Sequence, residues 1–154
     1  MELEGAIWVA EIWAAADTRK KLGEQAEAVF LSKATGMGLS VAKPWGDSER
    51  YDLIVGSGRR LWRVQVKSTR YVGERRFSIT ARGCTAAYTE DEIDFLAVYI
   101  VPLDLWYLIP VKAFTPRKCL RFYPKDKSSR GRYEKYREAW WRIGSTEARV
   151  GRGL

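Results

Sequence analysis

The run from Leu61 to Thr69 constrains the fold of this 154-residue chain more than any other feature. Leu61, Arg63, Gln65, Lys67 and Thr69 fall on one side of it and Trp62, Val64 and Val66 on the other, which is the two-residue period of a β-strand. Upstream, Tyr51 to Val55 is rich in strand formers and ends at Gly56-Ser57-Gly58, so the two runs are expected to join as a hairpin with one polar face.

The neighbouring segments supply the rest of a sheet and its cover. Residues 18 to 36 have Leu22, Ala26, Val29, Phe30 and Ala34 at helical spacing, with Asp17 or Thr18 as N-cap and Gly36 and Gly38 at the end. Leu39 to Lys43, Phe77 to Thr80, Asp94 to Val101 and Leu105 to Val111 read as strands. Thr89 caps a short helical turn through Ile93, and Arg132 to Arg142 reads as a helix followed by a loose tail. Ile7, Trp8, Val9, Ile12 and Trp13 suggest a short helix or an extension over residues 1–17. The expectation is an α/β fold: a core over 18–111 with a mixed central β-sheet flanked by helices, then a basic, aromatic segment over 112–154. That last segment packs on the core, contacts nucleic acid, or both.

Composition narrows the chemistry. The chain contains no histidine, which excludes Ser-His-Asp and Cys-His catalysis and any His-ligated metal. Cys84 and Cys119 form no CxxC pattern and read as small buried residues. The one long apolar stretch, Ala6 to Ala16, is interrupted by Glu11 and preceded by Glu2 and Glu4, so neither a membrane span nor a signal peptide is indicated. A cytoplasmic location is the simplest expectation. The net charge is +8, and Lys112 to Arg152 alone holds 13 Lys or Arg against 4 Asp or Glu. Phe122, Tyr123, Tyr133, Tyr136, Trp140 and Trp141 interleave with those cations, a combination suited to a phosphate backbone.

On the polar face of the hairpin Gln65 and Lys67 project together, and Asp52 lies across the turn from them. An acid, an amide oxygen and an ammonium converge. Phosphodiester hydrolysis needs such a set, because oxygen ligands hold Mg²⁺ at the phosphate and a nearby lysine orients or deprotonates the attacking water.

Asp52 followed by Gln65-Val66-Lys67 resembles the PD-(D/E)XK nuclease motif. Lys21-Leu22-Gly23-Glu24-Gln25-Ala26-Glu27 also has the Gly-x-x-x-Glu spacing of resolvase-like members, pointing to Glu27, with Glu24 in reserve. The Gln-Val-Lys variant after a Tyr-Asp-Leu strand, with Tyr88 to Phe95 and Trp106 to Pro110, is similar to the group I intron homing endonucleases of this type. The resemblance covers Lys20 to Lys112. It implies a Mg²⁺- or Mn²⁺-dependent endonuclease of double-stranded DNA, acting as a homodimer or homotetramer. It further implies Asp52, Glu27, Gln65 and the carbonyl of Val66 as metal ligands and Lys67 as the catalytic lysine. Ser68, Thr69, Arg70, Arg75 and Arg76, with Arg82 nearby, are candidates for phosphate contacts. Two departures stand out: Tyr51 replaces the motif's proline, and Gln65 replaces its usual Asp or Glu. The second removes a negative charge from the metal site, so a catalytically impaired DNA-binding protein of the same fold is one alternative. A Holliday-junction-resolvase-like nuclease is another.

Overall fold

The computed structural model describes residues 19–71, 75–83, 86–126 and 131–144. The extension over 1–17, Cys84 and the tail beyond 144 lie outside the described residues. Helix α1 (Arg19–Gly36) leads into strands β1 (Ser40–Ala42), β2 (Leu53–Ser57), β3 (Arg60–Thr69), β4 (Phe77–Thr80), β5 (Phe95–Ile100), β6 (Leu105–Pro110) and β7 (Cys119–Phe122). Five of these form the central sheet in the order β1-β2-β3-β5-β6, while β4 and β7 pair separately. Strands β3 and β5 run parallel, and every other pairing is antiparallel.

Helix α1 buries Ala26, Phe30 and Ala34, spaced four apart on one helical face. They pack on Val55, Val64, Val66, Ala97, Trp106 and Leu108, whose side chains share one face of the sheet. The helix ends where Gly38, at φ +84°, adopts the left-handed conformation that glycine tolerates without a Cβ clash. On the opposite face Leu96, Val98, Ile100, Tyr107 and Ile109 meet Phe77 and Ile79 of β4 and Leu120 and Phe122 of β7. With both faces covered, all six residues of β5 are buried, as expected of a strand in the parallel part of a sheet.

Arg63 ties the start of β5 to the middle of the sheet. Its Nε and Nη2 donate to the Asp94 carboxylate at 3.1 and 3.0 Å, and its main-chain N–H donates to the same group at 2.7 Å. The guanidinium also donates to the carbonyls of Glu90 and Asp91. Asp94, at the entry to β5, is therefore the anchor of this bracket.

Three expectations need correction. The hairpin turn is Gly58-Arg59, since Ser57 pairs with Arg60, so Gly56 and Ser57 belong to β2. The short helical turn expected from Thr89 through Ile93 is present, with the Thr89 carbonyl accepting from the N–H groups of Glu92 and Ile93, and α1 is the one α-helix among the described residues. Cys119 is exposed, because on β7 it alternates with the inward-facing Leu120 and Phe122. The segment Arg132 to Arg142 is two 3-10 turns, Glu134–Tyr136 and Trp140–Arg142. Between them Glu138 takes φ +46°, donates its N–H to the Trp106 carbonyl at 2.8 Å, and accepts from Trp106 N–H at 2.9 Å. Those bonds satisfy the edge of β6 and override the local helical pattern. Of the aromatic residues in this region, Phe122, Tyr133, Tyr136 and Trp140 are buried, while Trp141 is exposed.

Candidate active site

Asp52 stands immediately ahead of β2 and donates its N–H to the Val64 carbonyl, which holds it beside β3. Its Oδ2 accepts from Gln65 Nε2 at 2.6 Å and from Val66 N–H at 2.8 Å. The carboxylate thus satisfies a β3 donor at a point where β2 has not yet begun. Gln65 is only 8% exposed, and its amide nitrogen also lies 3.2 Å from its neighbour's carbonyl, that of Val66. A carboxylate can only accept, so the nitrogen of the amide must face it. Gln65 therefore acts as a donor here, and a half-turn about its last torsion would present its oxygen at the same place.

The structure brings Glu27, Asp52, Gln65, Val66, Lys67, Ser68, Thr69 and Arg70 to one cleft of about 810 Å³, which Ser78 and Thr80 of β4 also line. Arg75 and Arg76 are exposed and do not line it. Glu24 is exposed and lines a smaller groove, of about 610 Å³, shared with Lys43. Lys43 was not singled out from the sequence, yet its Nζ lies 2.6 Å from Glu27 Oε2. That ion pair raises the lysine's pKa, chiefly through the hydrogen bond to Glu27. The only sequence signal for it is a cation at the end of a strand near a glutamate-bearing helix.

Burial pushes the Asp52 carboxyl up to about 6 from 3.8. The Val66 N–H opposes the shift, Glu27 adds to it, and Lys67 and Lys43 oppose it. Because the folded-state pKa is raised, the protonated form is favoured in the fold. The associated stability is complete below pH 4 and is lost as pH rises through about 6. Asp52→Asn should therefore melt higher than wild type at pH 8, by on the order of 1–2 kcal/mol after discounting for partial exposure, with the difference disappearing near pH 4. Thermal melts at the two pH values would expose an error if the variant proved less stable at pH 8.

No group of three or more His, Cys, Asp or Glu able to hold a metal occurs among the described residues. The donors present are nevertheless hard oxygens: the carboxylates of Asp52 and Glu27, the Val66 carbonyl and the Gln65 amide. One or two carboxylates completed by water and substrate phosphate is the usual provision for Mg²⁺, so the residues fit such an ion.

Sheet order, the helix over one face and this cleft define a nuclease-type α/β core. The family profile described as PD-(D/E)XK endonuclease matches residues 17–143, and the chain belongs to that family. Among solved structures it is similar to a bacterial homing endonuclease, I-Ssp6803I, with TM-score 0.73 and 29% identity over 89% of this chain and 99% of that one. Hjc from Archaeoglobus fulgidus, a Holliday junction resolvase from an archaeal hyperthermophile, aligns with TM-score 0.44 and 17% identity over 66% of this chain and 83% of that one. No curated protein matches the sequence. No helix among the described residues is long and apolar enough to cross a membrane.

Proposed function

We propose that this protein is a divalent-metal-dependent endonuclease that hydrolyses phosphodiester bonds of double-stranded DNA, homing-endonuclease-like in its action. The observation that carries this reading is the buried Asp52 carboxylate bonded to Gln65 in a cleft that also holds Glu27 and Lys67. Asp52 and Glu27, with an oxygen from Gln65 or Val66, would hold Mg²⁺ or Mn²⁺, which supplies a more acidic water and offsets phosphate charge. Lys67, two residues along the same strand face, orients the attacking water through its ammonium donors. Ser68, Thr69 and Arg70 contact phosphates along the cleft, and Arg75 and Arg76 act farther out on the strand path. The likeness to a homing endonuclease and the basic excess over residues 112–152 support DNA as the substrate. One such site cuts one strand, so a double-strand break calls for a homodimer or homotetramer. The reading places the enzyme in the cytoplasm, where its substrate is accessible.

One observation favours a second reading, a DNA-binding protein with impaired catalysis: position 65 carries a neutral amide where the motif has an acid, which leaves one negative charge fewer to hold a cation. Incubating wild type in Mg²⁺ with plasmid, linear duplex and a four-way junction separates the possibilities. Cleavage of plasmid and duplex is expected. Binding in EDTA without cleavage under any divalent cation would establish the impaired reading, and cleavage confined to the junction would establish a resolvase.

Gln65→Glu is informative in the same assay. It removes the 2.6 Å hydrogen bond and sets two carboxylates face to face, which costs about 1–3 kcal/mol at neutral pH without a cation. Added Mg²⁺ should then raise its melting temperature more than it raises that of wild type. Equal Mg²⁺ shifts for the two proteins would remove position 65 from the metal site.

A further inference from the structure

Next to the Asp52 cleft a second concavity is lined by Glu49, Arg50, Gln65, Lys67, Arg82 and Tyr88. Gln65 and Lys67 line both, so the two hollows meet at the proposed catalytic residues. Arg50 is fixed in the second one from three sides. Its guanidinium carbon lies 5.4 Å from the centre of the Tyr88 ring, and its Nε lies 3.3 Å from Glu92 Oε1. Against the third side is Gly83, where an added Cβ would collide with Cζ and both terminal nitrogens. Glycine at 83 is what leaves room for this arginine. Lys67 Nζ lies 6.0 Å from the centre of the same Tyr88 ring, so one aromatic residue gathers both cations.

The donors of Arg50 are poorly used. Its Nε and Nη2 are buried and, among the described residues, have no hydrogen-bond partner, because the approach to Glu92 is an ion pair without hydrogen-bond alignment. Arg63 shows what a structural arginine looks like in this protein: every nitrogen of its guanidinium donates to Asp94 or to a carbonyl. Buried donors are nearly always satisfied, and a guanidinium suits the paired oxygens of a phosphate. About a third of the Arg50 side chain stays exposed, and because Nε and Nη2 are shielded from solvent, a phosphate reaches them only as the guanidinium turns away from Glu92.

We infer that Arg50, with Lys67 and Arg82, forms a subsite for a DNA phosphate next to the one being cleaved, with Glu92 holding the guanidinium in place until the phosphate takes over. The inference rests on the nuclease reading above. It makes Arg50 a substrate-binding residue that the strand pattern did not reveal, since it precedes Asp52 in a loop.

Anisotropy of a mixed-sequence duplex oligonucleotide in EDTA, titrated at several KCl concentrations, tests this. Arg50→Ala should bind about tenfold more weakly and lose about 0.9 from the slope of log affinity against log salt, the signature of one lost phosphate contact. Glu92→Gln, which removes the carboxylate that competes with DNA for the guanidinium, should bind more tightly than wild type with an unchanged slope. Gly83→Ala, which displaces the guanidinium without deleting it, should reproduce the affinity loss and guards against an Arg50→Ala protein that fails to fold. An Arg50→Ala protein with wild-type affinity and slope would overturn the inference. So would equal weakening by Arg50→Ala and Glu92→Gln, which would make the pair a structural pin. If wild type cuts plasmid in Mg²⁺ in either case, only the subsite falls. If wild type neither binds nor cuts DNA, the nuclease reading falls with it.

Discussion

Lys67→Ala should cut plasmid DNA about 10²–10⁴-fold more slowly than wild type under single-turnover conditions in Mg²⁺, the range typical for loss of a positioned proton-handling side chain. Lys67 is partly exposed on β3, two residues from Gln65, and opposite Val98 of the buried strand β5. Its backbone position is therefore fixed by the parallel ladder to β5, and truncating the side chain removes an ammonium without opening the core. Stability should change by less than about 0.5 kcal/mol. The separation of a large rate loss from a small stability loss is the diagnostic. A variant that cuts at the wild-type rate would remove Lys67 from the chemistry, and one that unfolds would make it structural.

Trp106→Ala should cost about 3–5 kcal/mol, a large part of the 5–15 kcal/mol by which domains of this size are stable. Trp106 is fully buried on β6. It stacks on Tyr99 at 4.4 Å and meets Phe30 and Trp140 edge-on at 5.5 and 5.9 Å. Phe30 is the central buried residue of α1, one helical turn from Glu27, so the indole is part of the surface on which the glutamate-bearing helix rests. Truncation should lower the urea midpoint with an unchanged slope. Trp106→Phe, which keeps a ring against Tyr99, should recover more than half of the loss. A midpoint within error of wild type for Trp106→Ala would show that α1 is held elsewhere.

The central elements were legible because their signals are local. Alternation over Leu61 to Thr69 gave β3, and Ala26, Phe30 and Ala34 at helical spacing gave the buried face of α1. Asp52, Gln65 and Lys67 could be brought together because a hairpin is a short-range contact whose register is nearly set by its turn. What the sequence hid depends on distant partners. Strand β7 alternates Cys119 and Arg121 outward with Leu120 and Phe122 inward, but it lies among so many cations that it read as part of a basic segment, and its partner β4 is remote in the chain. Tyr133, Tyr136, Trp140 and Ile143 have helical spacing and are all buried, yet the bonds between Glu138 and Trp106 break the helix there. The Glu27–Lys43 ion pair and the Arg50 pocket likewise arise from folds of the chain that no local period announces. The donor role of Gln65 follows from facing a carboxylate, which sequence spacing does not specify.

Supercoiled-plasmid cleavage by wild type and Asp52→Asn, with Mg²⁺ titrated in and then removed by EDTA, tests the central claim most directly. The expected result is wild-type cleavage that rises with Mg²⁺ and stops in EDTA, and no cleavage by the folded Asp52→Asn protein at any Mg²⁺ concentration. Cleavage by wild type in EDTA, or by Asp52→Asn at the wild-type rate, would contradict it.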